Sequence, residues 1–123
     1  MGKTALALTG DEWLAYRPGV RVDEEQLSER WERAWAVATT AAQVLRRQFG
    51  AERVAAFGSL AHREGFTLWS DIDLAAWGIP QDRFYRAVAA VTGLSSEFKV
   101  DLIAIEDCQP SLRRVIEQEG VTL

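Results

Sequence analysis

The hydrophobic pattern from residue 23 onward predicts a long amphipathic helix. Asp23 has a side chain typical of a helix N-cap, and Glu24 and Glu25 follow in the first turn, where the helix dipole favours acidic groups. Apolar residues then recur at helical spacing until Gly50, a residue type common at helix C-termini. The apolar positions of this stripe are Leu27, Trp31, Ala34, Trp35, Ala38, Ala42, Leu45 and Phe49.

The remainder of the chain alternates between strand and helix patterns. Short apolar or alternating segments are typical of strands, whereas apolar residues three or four positions apart are typical of helices. The order helix, strand, strand, helix, strand, helix predicts an α/β (α+β) fold in which helices flank a small mixed sheet. The predicted strands are Arg53–Phe57, Asp71–Trp77 and Phe98–Ile105. The predicted helices are Gln81–Leu94 and a segment that starts near Pro110 and ends at Gly120. In this last helix we expect Leu112, Val115 and Ile116 to face inward.

The length and composition are those of one globular domain. The 123 residues are 48% hydrophobic and 26% charged, which sets aside disordered and fibrous proteins. We expect residues 23–123 to form a single domain and residues 1–22 to be an N-terminal extension, to which the pattern assigns no role. The net charge of -4 argues against a generally basic surface for direct nucleic-acid binding.

The compartment follows from features that the sequence lacks. Cys108 is the single cysteine, so no internal disulfide can form. No segment is long and apolar enough to cross a membrane, and the N-terminus lacks the extended apolar stretch of a secretory signal. We therefore expect a cytoplasmic protein that does not bind membranes, and the sequence leaves its oligomeric state open, a homo-oligomer included.

Two aspartates on one predicted strand are the first candidates for chemistry. Asp71 and Asp73 are two positions apart, so on a strand their side chains project from the same face. Two carboxylates placed side by side repel each other, which makes little sense on a purely structural strand. Hard cations such as Mg²⁺, in contrast, need several oxygen ligands gathered on one side.

A third acid and a glycine-serine turn extend this candidate site. Asp101 lies between apolar neighbours on a later predicted strand, where a carboxylate is costly unless a cation or hydrogen-bond donors compensate it. If the two strands are adjacent, the three acids can converge on two metal ions, the arrangement that supports phosphoryl or nucleotidyl transfer. Gly58 and Ser59 directly follow a strand and suit a phosphate, because glycine allows close backbone approach and serine donates a hydroxyl.

This combination resembles the signature of the DNA polymerase β-type nucleotidyltransferase superfamily. The residues that carry the resemblance are Phe57–Ser59, Ser70–Leu74 and Val100–Leu102, and the short chain resembles the minimal nucleotidyltransferases in particular. The resemblance implies the polymerase β-type nucleotidyltransferase fold. It also implies transfer of AMP from ATP to a hydroxyl group with release of pyrophosphate.

The resemblance assigns a role to each of these residues. Asp71 and Asp73 would hold two Mg²⁺ ions, and Asp101 would ligate the ion that activates the acceptor hydroxyl. Gly58, Ser59 and Ser70 would bind the nucleoside triphosphate. The loop after Ser59 has Leu60 where an arginine is common, so the basic residue that contacts the triphosphate is not identified.

The short chain also indicates what the acceptor is. Little material remains beyond the nucleotide site, so another molecule must present the acceptor. Minimal nucleotidyltransferases resembling this one are commonly antitoxins that add AMP to a tyrosine of a helical HEPN ribonuclease toxin, and this is the favoured partner. Two alternatives stay open: a binding module that neutralises its partner by contact alone, and an adenylyltransferase subunit acting on small aminoglycoside-like alcohols. The nucleotide base and the choice between Mg²⁺ and Mn²⁺ also stay open.

Several conspicuous residues have plainer interpretations. His62 is expected to be an exposed loop residue, and Arg63 is undecided between a structural and a ligand-binding role. Trp31 and Trp35 are expected in the core, and Cys108 is expected to take no part in chemistry. For Trp69 and Trp77, which bracket the acids, a base-stacking or partner-binding role stays open.

Overall fold

The computed structural model describes residues 23–123, so the N-terminal extension assigned to residues 1–22 lies outside the described residues. The elements follow the predicted order, with one short strand added at the C-terminus. In chain order they are α1 (Glu24–Phe49), β1 (Arg53–Phe57), β2 (Ile72–Trp77), α2 (Gln81–Thr92), β3 (Val100–Ala104), α3 (Pro110–Glu119) and β4 (Val121–Thr122).

Helix α1 begins and ends where its sequence predicts. The Asp23 carboxylate accepts a hydrogen bond of 2.9 Å from the Glu25 backbone N–H, which satisfies one of the free donors of the first turn. At the other end Gly50 adopts a left-handed conformation with φ of 77° and its N–H donates to the Leu45 carbonyl. Both ends are therefore fixed by local chemistry.

The strands form one mixed sheet in the order β3-β2-β1-β4. Strand β1 pairs antiparallel with both β2 and β4, whereas β2 and β3 pair in parallel. Parallel neighbours need a crossover connection, and α2 provides it between β2 and β3. The parallel pair therefore aligns the starts of β2 and β3 at one end of the sheet.

The two faces of the sheet are covered unequally. Helices α1 and α2 pack on one face and form the main core with alternate strand residues such as Val54, Ile72 and Leu102. On the other face a smaller cluster joins Ala75 to Ile105 and Ile116, the last of which comes from α3. Among the described residues, no helix covers the rest of this second face. None of the helices between residues 24 and 119 is both long and apolar enough to cross a bilayer.

Two details of the C-terminal region differ from the predictions. Leu112 and Val115 of α3 were expected to face inward, but they are 38% and 45% exposed, and Ile116 alone of the three is buried. The helix contacts the sheet along a narrow stripe, so no other part of residues 23–123 covers Leu112 and Val115. Strand β4 was not predicted; its two residues pair with Ala55 and Ala56 at the edge of β1.

We expect Ile116→Ala to destabilise the chain by about 2–4 kcal/mol, because it leaves a cavity at a completely buried position that anchors α3 to the sheet. The neighbouring change Val115→Ala is the matched control, since it removes apolar atoms from a half-exposed position on the same helix. Urea unfolding at equal protein concentration measures both. Equal losses of unfolding free energy for the two variants would show that α3 is not held by Ile116.

Candidate active site

The start of the parallel strand pair brings two of the predicted acids together. In the register of β2 and β3, Asp73 is the direct partner of Asp101. Neighbouring strands lie about 4.8 Å apart, and registered residues project from the same face, so the two carboxylates are neighbours. The adjacency of these strands, which the sequence could only assume, is thus present in the structure.

Alternation along both strands explains why the acids face away from the main core. Ile72 and Leu74 on either side of Asp73 are buried against the helices, as are Val100 and Leu102 on either side of Asp101. A strand that buries these apolar residues on one face must turn the intervening residues to the other. The two aspartates therefore lie on the face that α3 covers only in part.

Asp71 lies just before β2 and contributes its charge to the same place. Burial raises the pKa of the Asp73 carboxyl above its ordinary value, the charges of Asp101 and then Asp71 raise this pKa further, and Lys99 lowers it. A shift with these causes requires that all three acids act on one small region. That region carries excess negative charge in the chain by itself.

The glycine-serine turn contacts this acidic region directly. Gly58 follows β1, whose last residue Phe57 is the register partner of Asp73. Gly58 has a φ of 71°, and a Cβ atom added to it would lie 2.8 Å from Oδ2 of Asp73. Only glycine combines this backbone conformation with such a close approach. Ser59 follows in the same short 3-10 turn, at a half-buried position.

Sheet order places the parts of the site in a row. Because the strands run β3, β2, β1, Asp73 lies between Asp101 on one side and Gly58 on the other. The acids are thus flanked by a turn suited to phosphate on the β1 side. On the β3 side they face the edge of the sheet that the described strands form.

Ser70 is engaged within its own loop. Its hydroxyl accepts a hydrogen bond of 2.8 Å from the Thr67 N–H, and its own N–H donates to the Thr67 carbonyl at 3.2 Å. Arg30 of α1 donates to the Ser70 carbonyl at 3.5 Å. These bonds fix the turn that delivers the chain to Asp71. A nucleotide contact from Ser70 stays a prediction; the hydroxyl can donate to a phosphate oxygen while it accepts from the Thr67 N–H.

The basic residues that the sequence left undecided have partners outside the acidic region. His62 is half-exposed, as expected, and its Nε2 lies 2.8 Å from Oε1 of Glu119. Arg63 donates to the Ser28 hydroxyl at 3.0 Å and lies 3.5 Å from Glu24. Both contacts tie the loop after Ser59 to helices, so neither side chain is aimed at the acids.

Lys99 is a site residue that the sequence reasoning missed. Its Nζ atom lies 3.7 Å from Oδ1 of Asp101. The available signal was its position two residues before Asp101, because residues two apart on an extended segment share a face.

Four other side chains noted in the sequence have clear positions. Trp31 and Trp35 pack against the main core, as predicted, and Nε1 of Trp31 donates to the Leu60 carbonyl at 3.1 Å. Trp77 packs beside the second cluster under the guanidinium of Arg53, whereas Trp69 is 59% exposed. Cys108 lies against the second cluster, away from the acids.

The donor set fits a hard divalent cation in its chemistry. The three acids supply oxygen ligands on one face, and their mutual repulsion leaves a negative region that a cation would stabilise. Within residues 23–123, no group of three or more His, Cys, Asp or Glu side chains is already arranged as a metal site. Metal binding by Asp71, Asp73 and Asp101 therefore stays a prediction, and it requires their side chains to reorient.

Comparison with known proteins identifies the fold. No protein-family model and no curated protein sequence matches the chain. In contrast, the chain matches a solved structure of a mutant MntA-HpeT toxin-antitoxin complex, with a TM-score of 0.57 at 15% identity. The match covers 69% of this chain and 70% of that chain. In that mutant, two aspartates two positions apart are replaced by glutamate. At this identity the match shows a shared fold. It confirms the prediction of an α/β fold in which helices flank a small mixed sheet.

Two further solved structures match the chain. A toxin-antitoxin structure with AMP-PNP matches with a TM-score of 0.55 at 17% identity, over 68% of this chain and 69% of that chain. A candidate minimal nucleotidyltransferase has 28% identity and a TM-score of 0.48, with 85% of this chain and 100% of that chain covered. At 15% and 17% identity, the likeness to the toxin-antitoxin structures extends to the fold alone.

We expect Gly58→Ala to weaken binding of divalent metal and nucleotide by roughly 10–100-fold, the usual effect of disturbing the surroundings of a metal ligand. The added methyl group would collide with the Asp73 carboxylate. Gly50→Ala is a matched control, because Gly50 has a φ of 77° and nothing lies within 4 Å of an added Cβ. Both variants should lose about 1–2 kcal/mol from the left-handed backbone, but only Gly58→Ala should lose ligand affinity in a calorimetric titration. Equal metal and nucleotide affinities of the two variants would show that the turn at Gly58 does not contribute to the site formed by the acids.

Replacing Asp73 tests the electrostatic strain in the metal-free chain. Folding raises the pKa of Asp73, so the ionised carboxylate disfavours the folded state, and this cost appears as the pH rises through the raised pKa. Asp73→Asn should therefore raise the unfolding temperature in EDTA at neutral pH. The gain should vanish below the ordinary aspartate pKa of about 3.9. Asp82→Asn, in the first turn of α2, is the control and should give no gain. A lower unfolding temperature for Asp73→Asn at neutral pH would contradict the claim that the ionised Asp73 carboxylate destabilises the metal-free chain.

Proposed function

We propose that this chain is a metal-dependent adenylyltransferase that acts as the antitoxin of a helical HEPN-type toxin. In this role it transfers AMP from ATP to a hydroxyl group of the toxin, a tyrosine in the favoured case. The observation that carries the proposal is the register pair Asp73 and Asp101, with Gly58 packed against Asp73. The fold shared with toxin-antitoxin structures, one of which contains AMP-PNP, supports the choice of nucleotide and partner.

The order of the site across the sheet suggests how substrates are placed. The triphosphate would lie on the β1 side, where Gly58 allows close backbone approach and the Ser59 hydroxyl can donate to phosphate oxygens. The acceptor hydroxyl would approach from the β3 side, where Asp101 is partly exposed at the edge of the sheet. Asp73 lies between the triphosphate side and the acceptor side, where it would hold a metal ion near both substrates.

The reaction is a displacement at the α-phosphorus of ATP. The acceptor oxygen forms a bond to phosphorus, the bond to the β-phosphate oxygen breaks, and pyrophosphate leaves. Asp71 and Asp73 would hold two Mg²⁺ ions and Asp101 would ligate one of them. The ions would lower the pKa of the acceptor hydroxyl and neutralise the triphosphate. Asp101 would accept the hydroxyl proton.

The surroundings of the acids favour a protein acceptor. Two surface hollows of about 360 Å³ and 390 Å³ share Phe84, Ala104 and Asp107 at the C-terminal end of β3, and none of the three acids lines either hollow. Neither of these two hollows, both lined by described residues, therefore presents a small alcohol to the acids. A partner protein would bring its own surface to complete the site.

The direct test incubates the purified chain with ATP, Mg²⁺ and the HEPN-type toxin encoded beside it. The product of the neighbouring gene is the first toxin to test. We expect the toxin to gain one AMP group by intact-mass spectrometry and to lose ribonuclease activity; a neighbouring product that is not a helical ribonuclease would count against the antitoxin role. Asp73→Asn should abolish both effects, whereas the control Asp82→Asn should retain them, because Asp82 lies on α2 on the other side of the sheet.

Two outcomes would replace the proposal. If Asp73→Asn still silenced the toxin completely and no AMP were found on it, neutralisation by contact would be the function. If the chain modified a small aminoglycoside-like alcohol and left the toxin unmodified, a small-molecule adenylyltransferase would be the better description.

A further inference from the structure

The acidic region has a cationic side chain already beside it. Nζ of Lys99 lies 3.7 Å from Oδ1 of Asp101, and the Lys99 and Asp101 side chains are 67% and 44% exposed. The charge of Lys99 also acts on Asp73, the middle acid of the row. The ammonium group therefore neutralises part of the negative region in the chain without metal.

Other cations near the site are held elsewhere. Arg30 pairs with Glu97 at 3.3 Å, Arg63 pairs with Ser28 and Glu24, and His62 pairs with Glu119. Within the described part of the chain, Lys99 is the cation whose charge lowers the pKa of Asp73. Among residues 23–123, the compensation of Asp73 thus comes from this one side chain.

The residue type suits a temporary contact. The sequence has only two lysines, Lys3 and Lys99, and otherwise uses arginine for its positive charges. Arginine forms a rigid two-pronged bond with a carboxylate, whereas lysine carries a compact charge on a flexible stem. A separation of 3.7 Å is longer than a normal hydrogen bond, and an ion pair this exposed is weak. Lys99 can therefore leave without breaking a strong bond.

We propose that Lys99 is a displaceable counter-cation, which stabilises the three acids in the metal-free chain and gives way when divalent ions bind. This inference rests on the proposed function, since it assumes that metal ions bind at Asp71, Asp73 and Asp101. Lys99 competes with the metal for the same carboxylates. It lowers the affinity of the site for metal. In the metal-free chain it reduces the electrostatic repulsion among the three carboxylates.

Removal of the competing charge should have two opposite effects. In Lys99→Met, the unfolding temperature in EDTA falls, because the acids lose their compensation. Mn²⁺, titrated by electron paramagnetic resonance, binds up to about fivefold more tightly, the factor that corresponds to the upper range for an exposed ion pair. Lys99→Arg retains the charge and should not tighten Mn²⁺ binding.

Arg86→Met is the matched control. It removes one positive charge from an exposed position on α2, which covers the opposite face of the sheet. A general effect of net charge would tighten Mn²⁺ binding equally in Arg86→Met and Lys99→Met, and that result would overturn the proposal. Unchanged or weaker Mn²⁺ binding in Lys99→Met would also overturn it.

A second readout uses the native residue. Reductive ¹³C-methylation of the full chain keeps the lysine charges and labels Lys3, Lys99 and the N-terminal amine; Lys3→Arg and Lys99→Arg assign the two lysine signals. On addition of Mg²⁺ the Lys99 signal should move to the position of a free lysine, and Asp73→Asn should suppress that movement. A Lys99 signal that does not move at saturating Mg²⁺ would overturn the counter-cation role and leave the proposed metal-dependent function standing. Absence of Mg²⁺ and Mn²⁺ binding to the unaltered chain would sink the proposed metal-dependent function instead.

Discussion

The parallel register of β2 and β3 is the constraint on which the site depends. It sets Asp73 beside Asp101, and Asp71 adds a third charge just before β2. Like charges at this spacing disfavour folding unless a cation joins them. A shift of one residue in this register would turn the acids of one strand toward the main core. The buried neighbours Ile72 and Val100 hold the register, because any such shift would expose them.

The same alternation links stability to function. Apolar residues on one face of β2 and β3 pack against α1 and α2, and this burial supplies the free energy that offsets the repulsion on the other face. The fold is completed by local devices: the Asp23 cap, the left-handed Gly50 and Gly58, and the loop bonds of Ser70. Gly58 serves both purposes, since its backbone ends β1 and lies against the Asp73 carboxylate.

Much of the fold could be predicted from local signals. The cap at Asp23 and the glycine at position 50 define α1, and β1 has the predicted bounds. Three features depend on tertiary contacts and could not be predicted in this way. Strand β4 has two residues, too few for a periodic pattern, and it forms because β1 has an open edge. The exposure of Leu112 and Val115 depends on how narrowly α3 contacts the sheet.

The candidate site was predictable in its residues but not in its surroundings. Motif spacing indicated the acids and the glycine-serine turn, whereas their adjacency required the β2-β3 pairing. The contact of Lys99 with Asp101 and the local hydrogen bonds of Ser70 required the structure.

The most direct test of the account is a crystal structure of the chain with Mn²⁺ and AMP-PNP, in which anomalous scattering locates the metal. The account predicts Mn²⁺ between Asp71, Asp73 and Asp101 with oxygen ligands at roughly 2.1 Å, and phosphates against Gly58 and Ser59. Mn²⁺ bound elsewhere, or an Asp101 side chain turned away from the other two acids in the complex, would contradict it.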